Sequence, residues 1–290
     1  MANEVIMLAK TYRKHKDLTL PASVQEKLDG VPGDFYYKRE LGRVHARTRQ
    51  GEELHSVDHI IAALTHALPD GAHVIGELRI AGMDFKDISG IARRHKTDVD
   101  TIKLKLHVFD FYIEGEEDCD FWDRMDSALR YLWELAKAPD SVVKFIPGCR
   151  IDTPEQLDEA VANFKRDNPE SEGVVIRALT GKKSVYKAAW RSPGMLKLKW
   201  TETIDVPIDS FEEAVSKDGQ PMGMVGRINV LYNGKVSGVG PGKMKHEDRI
   251  AMWKDRKNQV GKMIEVAHMP DESYEGLREG RYYRHRPDKD

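Results

Sequence analysis

Apolar residues along this chain recur with two different periods, and the switch between them marks the elements. Apolar and polar positions alternate through residues 74–80 (VIGELRI), 106–113 (LHVFDFYI), 173–177 (GVVIR) and 195–200 (MLKLKW). That period of two predicts strands. Residues 55–68, 121–137 and 154–166 carry apolar positions three and four apart, which predicts helices. The last of these opens on Thr153-Pro154-Glu155, an N-cap followed by proline at the first helical position. Strands and helices intermix from Val24 to Lys199, so the class expected is α+β.

Beyond Trp200 the texture changes. The run TETIDVPIDS reads as a connection, with residues 201–207 as a hinge between two domains, 1–201 and 202–290. Residues 222–240 hold short apolar runs broken by Gly and Asn, and Asn233-Gly234 between two of them predicts a hairpin. A helix over 246–258 and a strand over 260–267 follow. A small β-barrel carrying one helix fits this tail.

Composition adds bounds. Of 290 residues 40% are hydrophobic, enough for a true core, and 32% are charged. The formal net charge of −2 neither requires nor excludes a polyanionic partner; such a partner would need positive charge gathered on one face. Two cysteines, Cys119 and Cys149, lie too far apart for a CxxC zinc module and suit a reducing compartment. The N-terminal stretch MANEVIMLAK meets charge too soon for a signal peptide, and no run has the length of a membrane-spanning helix. The expectation is a soluble, cytoplasmic protein.

Three motifs carry chemistry. Lys27-Leu28-Asp29-Gly30 follows a strand-like run. Alternation would put Lys27 and Asp29 on one side, with Gly30 allowing a tight turn. A free lysine amine titrates near about 10.4, so a nucleophilic lysine needs positive charge beside it. In Met195-Leu196-Lys197-Leu198-Lys199-Trp200, Lys197 and Lys199 share one strand face, opposite Leu196, Leu198 and Trp200. Two lysines so placed suit a phosphate, although an edge strand looks the same. Ser171-Glu172-Gly173-Val174-Val175 sets a carboxylate just before an apolar strand, where it is either a loop residue or a ligand for Mg²⁺.

Taken in order, these motifs resemble the covalent nucleotidyltransferases, and within them the ATP-dependent DNA ligases. Lys27-Leu28-Asp29-Gly30 is similar to the family's motif I. Thr48-Arg49-Gln50-Gly51 is similar to its Ser-Arg-x-Gly element, Gly76-Glu77-Leu78 to motif III and Val108-Phe109-Asp110 to motif IIIa. Glu172-Gly173-Val174-Val175 resembles motif IV, Leu196-Lys197-Leu198-Lys199 motif V, and Arg286-Pro287-Asp288-Lys289 motif VI; Arg191-Ser192 matches a further family dipeptide. Pro32 and Ile75 depart from the pattern, standing where the family commonly has arginine and aspartate.

The resemblance implies an antiparallel-sheet nucleotidyltransferase core of ATP-grasp-like type, followed by an oligonucleotide-binding (OB) barrel. It implies ATP, with Mg²⁺ or Mn²⁺, and nicked double-stranded DNA as the partner of a monomer. Lys27 would take the AMP. Gln25, Arg49, Glu77, Phe109, Glu172, Arg191, Lys197, Lys199, Arg286 and Lys289 would bind the nucleotide, with Glu172 and Glu77 as metal ligands. A GTP-dependent mRNA capping guanylyltransferase shares much of this pattern, and a catalytically silent nucleic-acid-binding protein would keep the fold. Lys38-Arg39-Glu40-Leu41-Gly42-Arg43 imitates motif I loosely, but leucine stands where the turn wants glycine; it reads as a charged strand.

Overall fold

The computed structural model describes residues 4–168, 171–271 and 274–290, which leaves the first three residues of the N-terminal stretch outside the description. The chain divides into two compact units, Met1–Lys199 and Trp200–Asp290.

The first unit is built on two five-stranded sheets. One contains β1 (Leu8–Thr11), β2 (Ala22–Lys27), β8 (Gly148–Ile151), β9 (Gly173–Ala178) and β10 (Arg191–Lys199), in the order β1-β10-β9-β2-β8. The other contains β3 (Val31–Tyr37), β4 (Val44–Thr48), β5 (Ala72–Arg79), β6 (Lys105–Ile113) and β7 (Val143–Phe145), in the order β4-β3-β5-β6-β7. Most neighbours run antiparallel, but β1 with β10 and β6 with β7 run parallel. The sheets are therefore mixed rather than purely antiparallel. A parallel pair needs a long crossover, and between β6 and β7 helix α3 (Phe121–Ala136) supplies it.

Helices α1 (Asp58–Thr65) and α2 (Phe85–Ala92) join α3 on the outer face of the second sheet. There Ile60, Ile61, Leu64, Ile88, Ile91, Ala128 and Leu132 pack on Phe35, Val74, Leu78, Val108 and Phe111. Helix α4 (Pro154–Asp167) lies on β2, β8 and β9. Its start is set by a capping box: Gln156 N–H donates to Thr153 Oγ1 at 3.4 Å, and Thr153 N–H donates to Gln156 Oε1 at 3.1 Å. The inner faces of the two sheets meet through Met195 and Met7 on one side and Ile75 and Tyr112 on the other.

In the second unit β11 (Glu202–Val215), β12 (Pro221–Tyr232), β13 (Lys235–Val239), β14 (Met263–His268) and β15 (Arg281–His285) form a sheet ordered β13-β12-β11-β14-β15. Helix α5 (His246–Lys254) and the short α6 (Arg256–Gln259) connect β13 to β14. The segment expected to be a connecting hinge, residues 201–207, is largely strand. Residues 202–207 pair with β14, and from Ile208 on the same strand pairs with β12. Pro207, which can donate no ladder bond, stands at the changeover, where the ladder tolerates it. Asn233 and Gly234 have φ of 48° and 74°, the left-handed values of the expected hairpin turn. The ladders form no closed barrel: the edge strands are joined by one isolated parallel bridge, Gly240 with Arg281. Val206, Ile208, Ile228, Val230, Ile264 and Val266 form the core of this unit. Among the described residues, no helix is long and apolar enough to cross a membrane.

Candidate active site

Three adjacent strands bring Lys27, Glu172 and Lys199 together. Lys27 ends β2 and pairs with Gly173 of β9, which pairs in turn with Lys199 of β10. Two steps back along the same faces, Gln25 aligns with Val175 and Val175 with Lys197. Period two therefore puts Gln25, Lys27, Lys197 and Lys199 on the inner face of the first sheet. Glu172 precedes β9, and its N–H donates to the Lys27 carbonyl at 3.0 Å.

Gly173 makes the approach possible. Its φ is +146°, and a Cβ built there would lie 2.0 Å from the Leu198 carbonyl oxygen. Gly30 acts in a similar way rather than through the tight turn expected of it. Its φ is not in the left-handed region, but a Cβ there would meet the Leu78 carbonyl oxygen at 2.3 Å and Glu77 Cγ at 2.9 Å. The bare glycine lets the segment after Lys27 lie against β5, next to Glu77.

The Glu172 carboxylate accepts from Lys27 Nζ with one oxygen and from Lys199 Nζ, at 2.5 Å, with the other. Burial by itself would push this carboxyl up; Lys27 and Lys199 outweigh that effect and hold it below the usual range. Glu77 faces the opposite balance. Loss of hydration pushes its carboxyl up to about 8 against the pull of Lys27, and Glu172 and Asp29 add to the rise. Arg49 joins Lys27 in opposing that rise, and a further positive charge at this spot would favour the ionised form. Two carboxylates plus substrate phosphates suit Mg²⁺ better than an all-protein cage does. Among the described residues, no cluster of three or more His, Cys, Asp or Glu is placed to hold a metal ion.

Other predicted residues gather around this centre. Gln25 is 5% exposed; its Nε2 donates to the Ile146 carbonyl at 3.2 Å, while its Oε1 is buried without a hydrogen-bond partner. Arg49 stands in the turn after β4, near enough to Glu77 to act on its charge, and its buried Nε makes no hydrogen bond. Phe109 is partly buried in the cluster between the sheets.

The three remaining predicted residues are held by other partners. Arg191 begins β10 and Lys199 ends it, but the strand is not regular between them: against β1, Arg191 and Ser192 pair with Leu8 and Ala9, and Leu196 and Lys197 with Lys10 and Thr11, so residues 193–195 bulge from that ladder. The Arg191 guanidinium donates to the Ala9 carbonyl at 2.7 Å. Arg286 and Lys289 belong to the second unit. Both are held by Asp205: Arg286 Nη1 bonds its two oxygens at 2.9 and 2.8 Å, and Lys289 Nζ bonds one at 2.6 Å. Arg39–Leu41, part of the motif I imitation, forms a short 3₁₀ turn rather than a charged strand, because Gly42 at φ +68° reverses the chain.

Sequence reasoning missed two buried ionic networks. Asp110 is 1% exposed and bonds Arg124 and Arg177; Asp34 is fully buried and bonds Arg47 and His73. The signal was present for the first, since an aspartate between Phe109 and Phe111 in an apolar strand must find a partner.

The ATP dependent DNA ligase domain family matches residues 6–199. Among solved structures, a chain named Pmar-Lig_Pre is similar at TM-score 0.81 and 20% identity, over 99% of this chain and 68% of that one. A Lig E DNA ligase is similar at TM-score 0.72 and 19% identity, over 98% and 99%. Chlorella virus DNA ligase-adenylate is similar at 0.54 and 20%, over 97% and 99%. These likenesses, all at low identity, concern the fold. No curated protein sequence matches the chain. The family match covers Lys27, Glu77, Phe109, Glu172 and Lys199, and the chain belongs to the ATP-dependent DNA ligases.

Proposed function

We propose that this ligase seals nicks in duplex DNA through a phosphoramidate between Lys27 and AMP. In the first step Lys27 Nζ, having given up its proton, bonds to the α-phosphorus of ATP while the bond to the pyrophosphate oxygen breaks. In the second, the 5′-phosphate oxygen at a nick bonds to that phosphorus and the nitrogen leaves it. In the third, the 3′-hydroxyl oxygen attacks the activated 5′-phosphorus, loses its proton, and AMP departs. All three are in-line phosphoryl transfers, in which catalysis rests on positioning and charge.

The observation carrying this reading is the sharing of Glu172 between Lys27 and Lys199. A carboxylate there holds the lysine at the end of its strand, and a neighbouring ammonium supplies positive field where an α-phosphate would sit. Lys197 adds to that field. The unpaired Gln25 Oε1 accepts from the exocyclic amine of adenine and would repel the carbonyl of guanine. Phe109 stacks on the base, Glu77 takes the ribose, and Arg49 takes the 5′-phosphate. Mg²⁺, held by Glu172 and Glu77, would offset charge developing on the phosphates. Arg191, on the strand that ends in Lys199, is read as a further contact to the nucleotide, which requires its guanidinium to leave the Ala9 carbonyl.

Arg286 and Lys289 would orient the pyrophosphate, which requires them to leave Asp205. The second unit is read as an OB domain contacting DNA phosphates. What supports this reading is a run of five strands whose edges are joined by the parallel Gly240–Arg281 bridge.

Incubation with magnesium and α-labelled ATP or GTP tests the reading. The expected result is covalent label from ATP alone, absent in Lys27→Ala, followed by sealing of a nicked DNA duplex. Label from GTP would favour a guanylyltransferase, and no label a silent protein.

A further inference from the structure

The register between β5 and β6 slips at one place. Gly76 pairs with Val108 and Ile75 with Asp110, so Phe109 is an extra residue in β6, a β-bulge. Its effect is visible in burial. Val108 and Phe111, three residues apart, both point into the outer core, while Phe109 and Asp110 both turn toward the inner face. Without the extra residue the alternation would send one of the two to the other side.

Asp110 is locked where the bulge puts it. Arg124 Nε and Nη2 donate to its two oxygens at 2.9 and 3.2 Å, and Arg177 Nη1 donates at 2.7 Å. Arg124 is also tied to the carbonyls of Cys119 and Ser184, each at 2.8 Å. Arg177 comes from the opposite sheet: it lies on β9, five residues after Glu172, and is 3% exposed. Its guanidinium carbon is 5.1 Å from the centre of the Phe109 ring and 5.0 Å from that of Phe121. Ion pair and cation–π contact thus join the strand that follows Glu172 to the ring proposed to carry adenine.

We propose that Arg177 is a positioning residue for the nucleotide: bonded to Asp110 and set against Phe109, it fixes the base platform of the second sheet relative to the Lys27–Glu172 centre of the first. This rests on the reading of Phe109 as the base platform. Arg177 touches neither base nor phosphate, so its removal loosens nucleotide binding and leaves the reacting groups in place.

Steady-state ligation of a nicked duplex under varied ATP tests this. Phe109→Ala checks the underlying reading by itself: if its KM for ATP stays at the wild-type value, Phe109 is not the platform. With that raised, Arg177→Met is expected to raise KM for ATP about tenfold while kcat at saturating ATP stays within about twofold, the pattern of lost uniform binding. Arg177→Lys, which keeps a cation on Asp110, is expected to recover most of the loss. A general weakening of the fold would instead lower kcat together with the melting temperature. If Arg177→Met does not fold, Asp110→Asn, nearly isosteric, is read in the same way. An unchanged KM in the folded variant, or a fall in kcat alone, would overturn the proposal.

Discussion

Glu172 keeps two ammonium groups in place with one carboxylate, and an amide of the same size separates its charge from its shape. Glu172→Gln is expected to fold normally, yet to lower the rate of self-adenylylation on the order of 10²-fold, as removal of an electrostatic group from a catalytic centre does. A single-turnover label assay, with a melting curve alongside, checks both halves. Across the ladder from Glu77, His107 offers a test by pH. Burial, with Arg79, Lys105 and Lys144 adding to it, pushes its imidazole down to about 4. The unfolded chain binds that proton near about 6.5, so stability is full above that value and is lost as pH falls toward about 4. The loss is at most about 3 kcal/mol, and the stability curve of His107→Gln, measured without metal or nucleotide, is expected to be flatter across that window. That Lys197 and Lys199 share one face could be read from the sequence because period two fixes which side of a strand a residue takes; that Lys27 and Glu172 belong with them came from the resemblance, because alternation does not say which strands are neighbours. What surrounds them could not be read. Glu77 and Phe109 come from the other sheet, and nothing in the spacing says which faces of two sheets meet.

At the level of elements, the close passage of Gly173 over β10 is the most sensitive joint. A methyl group there would sit 2.0 Å from the Leu198 carbonyl oxygen, at a φ that side chains rarely adopt. Gly173→Ala is therefore expected to cost more than about 2 kcal/mol in chemical denaturation, as strained backbone positions do. Gly90→Ala, in α2 with no atom near the added methyl group, is expected to stabilise by about 0.5–1 kcal/mol. Helix α4 and the Asn233-Gly234 hairpin were legible because their signals are local: a cap with proline at one, an Asn-Gly pair between apolar runs at the other. The bulge at Phe109 was not, since one extra residue in a strand shows only as a broken alternation. The length of β11 was obscured by Pro207, which suggests a loop until the change of pairing partner is seen. The bulge of β10 after Ser192 is likewise something that a dipeptide match cannot convey.

For the molecule as a whole, the tail of the second unit poses the largest mechanical question. Truncation after Gly280 would remove β15 along with Arg286 and Lys289, so point substitutions separate their chemistry from the fold. The double variant Arg286→Ala, Lys289→Ala is expected to lose self-adenylylation while still sealing a pre-adenylylated nick. Asp205→Asn, which weakens the grip on both cations, is expected to lower the KM for ATP; an unchanged or higher value would count against competition between Asp205 and pyrophosphate. The central claim is that one amine, Lys27, carries the AMP. Reaction with ATP and magnesium, quenching, proteolysis and mass spectrometry of the peptides would locate the adduct. The account predicts an added AMP on the peptide containing Lys27 and on no other. An adduct on Lys38, on Lys199 or on any residue besides Lys27 would contradict it.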